Sequence, residues 1–201
     1  MRKSIILMLF LCSLQTIAQI KSPSEFLPNY GKQITFYHQT EAYFSHLVKE
    51  SSLIKHQVYG QTNEERNLNV YFVSTPENLA NLDQIRNNNL NAIGLSNQNN
   101  QKIGDKLIVW ISFSVHGNEY AGMESAMTVA YELLNPANKE TKEWLKNTIV
   151  ILDPCENPDG LSRYANWLRE ISGKKTHPGL SDREHMEVWP GGRYNHYIFD
   201  L

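Results

Sequence analysis

The chain has 201 residues, with 19 Lys and Arg against 21 Asp and Glu and a formal charge of −2. That length suits one domain of ordinary size with a sizeable core. The near-neutral balance excludes a global field that would recruit nucleic acid or an anionic membrane.

Residues 1–18 begin Met1-Arg2-Lys3, continue in an apolar run from Ile5 to Leu14 and end in Thr16-Ile17-Ala18. This is the charged, apolar and small-residue order of a secretory signal peptide. The run is too short for a permanent membrane-spanning helix, and no later run is long enough. The expectation is an exported chain, periplasmic or extracellular, with no membrane attachment after cleavage and its remaining residues, 19–201, in one domain. Cys12 lies inside the leader, where bulky Leu11 argues against lipid modification. Cleavage after Ala18 leaves Cys155 as the only cysteine, so no intramolecular disulfide forms, and Cys155 reads as a buried small hydrophobe.

Residues 22–32 are punctuated by Pro and Gly and read as extended. Residues 40–51 carry Tyr43, Phe44, Leu47 and Val48 on one face of a surface helix. Residues 53–59 and 68–73 alternate apolar and polar residues about the polar stretch 61–67, which predicts an antiparallel hairpin. Pro76 opens a helical segment with Leu79, Leu82, Ile85 and Leu90 facing inward. The Asn/Gln-rich residues 97–101 mark a surface connection.

Lys106 to Ser112 is an almost continuous apolar run, rich in β-branched and aromatic residues, and predicts a parallel strand buried on both faces. After Gly117-Asn118 the apolar period changes to helical, with Met123, Ala126, Met127, Ala130, Leu133 and Leu134 in step. A short charged helix over 139–146 then leads to a second apolar strand, 148–152, so that strand, helix and strand form a βαβ crossover with parallel neighbours. Two strand ends lie side by side, at the sheet edge where ligands bind in open α/β folds. The first ends in His116-Gly117-Asn118-Glu119, and imidazole and carboxylate are ordinary zinc ligands that a loop can fold onto one ion. Spacing alone does not decide, because His38-Gln39-Thr40-Glu41 repeats it on what reads as a solvated helix start. The second ends in Asn157-Pro158-Asp159-Gly160, read locally as a tight turn with a proline-set φ and a positive-φ glycine.

Taken together, the buried strand with HxxE, the helix, the second strand with NPDG and the closing Gly191-Gly192-Arg193-Tyr194-Asn195-His196-Tyr197-Ile198-Phe199-Asp200-Leu201 resemble the zinc carboxypeptidase (metallocarboxypeptidase) family, particularly its exported bacterial members. The resemblance runs from about Pro28 to Leu201 and covers the amino-terminal half to two thirds of that catalytic domain. It implies an α/β fold whose mixed sheet has central parallel strands and flanking helices, incomplete relative to the family. It implies Zn2+ as cofactor, with His116 and Glu119 as its first two ligands, and Asp200 as the carboxylate behind the histidine ring. Asn157, Asp159 and Gly160 would shape the wall of the substrate cleft, with Arg193 as a contact at its rim. The arginine that meets the oxyanion would be Arg163 or Arg169, and position favours Arg163 as nearer the turn.

The resemblance further implies hydrolysis of the last peptide bond of a peptide or protein with a free carboxyl end. The family's carboxylate-gripping Asn-Arg pair, third zinc ligand and glutamate base would follow Leu201, so the fragment alone is expected to be inactive. His177, His185 and His196 read as loop or surface residues. Two other readings remain: a zinc amidohydrolase on N-acyl amino acids, of the desuccinylase and aspartoacylase type, and a non-catalytic exported binding module with Trp110, Trp167 and Trp189 on one exposed face.

Overall fold

A computed structural model of the protein describes residues 19–95, 106–175 and 177–201. Residues 1–18, read above as a signal peptide, and the connection at 97–101 lie outside the described residues. The elements are α1 (Pro23–Phe26), α2 (Tyr37–Glu50), β1 (Ile54–Gln61), β2 (Asn67–Val73), α3 (Pro76–Ala80), α4 (Leu82–Ala92), β3 (Leu107–Ser112), α5 (Ala121–Leu134), α6 (Lys139–Asn147), β4 (Thr148–Asp153) and α7 (Pro158–Ile171).

The four strands form one mixed sheet in the order β1-β2-β4-β3. The hairpin is antiparallel, β2 pairs antiparallel with β4, and β4 pairs parallel with β3 from Leu107↔Thr148 to Ser112↔Asp153. The crossover through α5 and α6 therefore brings the carboxyl ends of β3 and β4 together in register. One sheet face, with Ile54, Tyr71, Val73, Val150 and Leu152, packs on Tyr43, Phe44 and Leu47 of α2 and on Ala126, Met127 and Ala130 of α5. Each large side chain removed from water there contributes roughly 1.5–3 kcal/mol, which fixes both helices on the face. Among the described residues no helix is long and apolar enough to cross a membrane.

Three expectations need correction. Residues 22–32 are not wholly extended: Pro23 at a helix start and the Glu25 carboxylate, which accepts the Ser22 N–H at 2.7 Å, close the single turn α1. The NPDG stretch is no turn with a positive-φ glycine; Asn157 caps α7 by accepting the Gly160 N–H at 2.9 Å, and Pro158 occupies its first turn. The third concerns β3. It is parallel as expected, but among the described residues only β4 pairs with it, so Leu107 and Trp110 remain 62% and 60% exposed. Its apolar run matches burial on both faces, and no described element supplies the second neighbour.

Candidate metal centre

Where β3 and β4 end, backbone bonds extend the ladder and aim the loops. Phe113 N–H donates to the Asp153 carbonyl at 2.9 Å, Glu156 N–H to Phe113 at 3.0 Å and Asn157 N–H to Ser114 at 3.2 Å. Ser114 then takes a positive φ of 51°, a costly conformation for a residue with a Cβ, and turns the chain toward His116. Glu119 N–H donates to the His116 carbonyl at 3.1 Å, folding the four residues into a loop ahead of α5.

That loop places His116 Nδ1 3.1 Å from Glu119 Oε1. The other ring nitrogen, Nε2, faces Asp200 Oδ1 at 3.2 Å and the Leu201 carbonyl at 2.5 Å. Arg193 completes the group, with Nη1 3.2 Å from His116 Nδ1 and 3.3 Å from Glu119 Oε1, while its Nε donates to Asp200 Oδ2 at 2.9 Å. The acceptors at Nε2, Asp200 and Leu201, hold a proton there, and in the neutral ring the lone pair is then on Nδ1, the nitrogen that faces Glu119 and Arg193. This is the tautomer a metal ligand needs, with the proton held by an acceptor behind the ring. The Arg193 guanidinium in turn holds the Asp200 carboxyl below the usual carboxylate range.

The residues fit a cation. Two donors 3.1 Å apart are near the ~3.4 Å separation of neighbours in a tetrahedral shell of roughly 2.1 Å radius, and a cationic group already bridges them. Two carboxylates against one guanidinium leave an excess negative charge. Among the described residues, no third His, Cys, Asp or Glu completes with the pair a set of donor atoms all within 4.8 Å of one another.

The other expected residues fall elsewhere. Arg163 is not free to meet an oxyanion: its Nε donates to the Gly191 carbonyl at 3.1 Å, Nη2 to Tyr194 at 2.5 Å and Nη1 to Glu64 at 3.2 Å. Arg169 lies 5.3 Å over the Phe36 ring and lines a cavity of about 100 Å³ beside α1 and α2. The family resemblance suggested these two, but the arginine at the pair is Arg193. Asn157 and Asp159 are buried, and protein groups take up their polar atoms. Asn157 Nδ2 donates to the Gly192 and Arg193 carbonyls at 3.4 Å. Asp159 accepts from Thr62 Oγ1 at 2.8 Å and Arg66 Nη1 at 2.6 Å, tying α7 to the β1–β2 loop. Gly160 serves close approach: a Cβ there, at Gly117 or at Gly192 would run into the backbone of one of the other two segments.

A second group of donors, Glu64, Asp159 and His196, comes within 4.8 Å. Arg66 and Arg163 already pair with its carboxylates, so its charge is closed. No local pattern marks this cluster, since its members come from three distant segments. Arg193, expected as a contact at the cleft rim, stands against the His116–Glu119 pair, and its place in the same closing motif as Asp200 was the signal for it.

Comparison with curated proteins finds no match. Among solved structures, carboxypeptidase A from Helicoverpa armigera is similar at 17% identity and a TM-score of 0.47, over 68% of this chain and 31% of that one. Thrombin-activatable fibrinolysis inhibitor is similar at 17% identity and 0.49, over 76% and 31%. The bovine form, in complex with tick carboxypeptidase inhibitor, gives 14% and 0.37, over 82% and 40%. The chain thus spans under half the length of each. The zinc carboxypeptidase family matches residues 40–197, most of the chain, and the protein belongs to that family.

Proposed function

We propose that His116 and Glu119 are two protein ligands of a zinc site that hydrolyses the C-terminal bond of peptides with a free carboxylate. The observation that carries this reading is the 3.1 Å approach of His116 Nδ1 to Glu119 Oε1, bridged by a guanidinium and backed at Nε2 by Asp200. Bound there, zinc would polarise the scissile carbonyl and acidify water. His116 keeps its lone pair toward the ion because Asp200 holds the opposite proton. Arg193, anchored on Asp200, is the cation at hand for negative charge developing on a carbonyl oxygen. The buried side chains of Asn157 and Asp159 act as scaffold, setting the wall without touching substrate. The order of residues 1–18 supports export as part of the same reading, with 19–201 as one domain.

Two protein donors bind zinc weakly, so these 201 residues with added zinc should release little free amino acid from peptides. Rapid turnover abolished by chelation would show that the two ligands suffice. Release from N-acyl amino acids but not from peptides would move the assignment to the amidohydrolases. Zinc binding indifferent to loss of His116 would remove the site altogether.

A further inference from the structure

We infer that Arg163 is a positioning residue: its guanidinium clamps the backbone of the loop that carries Arg193, and so sets Arg193 against the His116–Glu119 pair. The inference rests on the zinc-site reading for its purpose, but not for its geometry. Every carbonyl from Gly191 to Tyr194 receives a donor. Arg163 Nε takes Gly191 at 3.1 Å and Nη2 takes Tyr194 at 2.5 Å; between them, Gly117 N–H takes Gly192 at 2.9 Å, and Asn157 Nδ2 reaches Gly192 and Arg193 at 3.4 Å. The Gly192 N–H donates to Glu187, whose other oxygen accepts from Asn118 Nδ2 at 3.0 Å.

Asn157, Gly160 and Arg163 recur every third residue at the start of α7, so one helix face presents all three to the loop. Gly160, without a Cβ, admits the Gly192 carbonyl; Arg163 spans the two outer carbonyls as only a planar fork can. The loop has no fully buried large side chain of its own, and Tyr194 contributes only a ring contact with Trp189 at 4.9 Å. Polar clamping therefore decides where Arg193 stands. With its third nitrogen on Glu64, every nitrogen of Arg163 is engaged by a protein group, and it acts through Arg193.

The test compares wild type, Arg163→Lys and Arg163→Met by the ¹⁵N–¹H signal of the Arg193 Nε–H, assigned by its loss in Arg193→Lys, in zinc-free protein. In wild type the signal is shifted from free arginine by the bond to Asp200. In both Arg163 variants it should move to the free-arginine position, with hydrogen exchange at least about tenfold faster, since one ammonium cannot serve both carbonyls. If Arg163→Met does not fold, Arg163→Lys decides. Zinc titration supplies a readout that a merely structural defect would move the other way. Releasing the competing guanidinium from the donor pair should tighten zinc binding roughly threefold, whereas general loosening would weaken it. An Arg193 signal unchanged from wild type, or weaker zinc binding in both variants, overturns the inference. A wild type that binds no zinc sinks the functional reading instead, and leaves the Arg193 signal to judge the clamp.

Discussion

Two polar clusters flank the end of the sheet, and each joins a histidine, two carboxylates and arginine. In one, Glu119 and Asp200 share the single guanidinium of Arg193 beside His116. In the other, Glu64 and Asp159 meet two guanidiniums, Arg66 and Arg163, beside His196. The first has one guanidinium for two carboxylates, and its imidazole nitrogen Nδ1 faces a carboxylate; the second has a guanidinium for each carboxylate. On the proposed zinc-site reading, the number of cations already present separates the two clusters.

The largest way to break this comparison is to pry the two clusters apart. Gly117 stands where the His116 loop, the start of α7 and the Gly192 carbonyl meet, and an added Cβ would overlap the Leu161 nitrogen and the Gly160 carbonyl carbon. Backbone cannot withdraw as a flexible side chain can, so Gly117→Ala should cost at least about 4 kcal/mol in denaturant unfolding. A cost under about 1 kcal/mol would mean that the three segments are not packed as described.

Arg66→Met sharpens the comparison by giving the second cluster the charge of the first. Asp159 is buried, and losing its closer cation should destabilise the fold by about 2 kcal/mol. The same change should create a second, weaker zinc site at Glu64, Asp159 and His196, seen as a rise in stoichiometry from one to two. Unchanged stoichiometry would show that charge count does not separate the clusters.

Asp153 shows a third way of handling a carboxylate at this edge, with no cation at all. It is buried at the end of β4, accepts from Tyr59 at 2.7 Å through Oδ2, and has a partnerless Oδ1. Burial pushes its carboxyl up to about 6. Because the folded value lies above the unfolded one, the folded state holds a proton that the unfolded chain loses first. Stability is then full below about pH 4 and declines as pH rises through about 6, by about 3 kcal/mol in all. Asp153→Asn should remove that decline, measured as the difference in urea midpoint between pH 4 and pH 7. An equal decline in the variant would assign it to other groups.

The parts of this arrangement legible in the sequence are those that periodicity controls. The switch from the apolar run at Leu107 to helical spacing at Met123, and the second run at Thr148, predicted the parallel pair and hence the meeting of strand ends. What periodicity cannot see is direction. The change of Asn157 from turn to helix cap turned Arg163 onto the helix face that meets the Gly192 loop, and so took it from the oxyanion role to the clamp. The exposure of Trp110 was illegible for another reason: an apolar strand states that it can be covered, not what covers it. Asp159 and Arg66, 93 residues apart, meet only because the hairpin loop reaches α7, which no local pattern encodes.

The most direct measurement is zinc titration of the wild-type chain against His116→Ala and His196→Ala under the same conditions. The charge difference between the clusters predicts one zinc per chain, at least about 100-fold weaker binding without His116, and no more than a twofold change without His196. Binding that survives the loss of His116 but falls with His196 would place the metal in the wrong cluster and contradict the account.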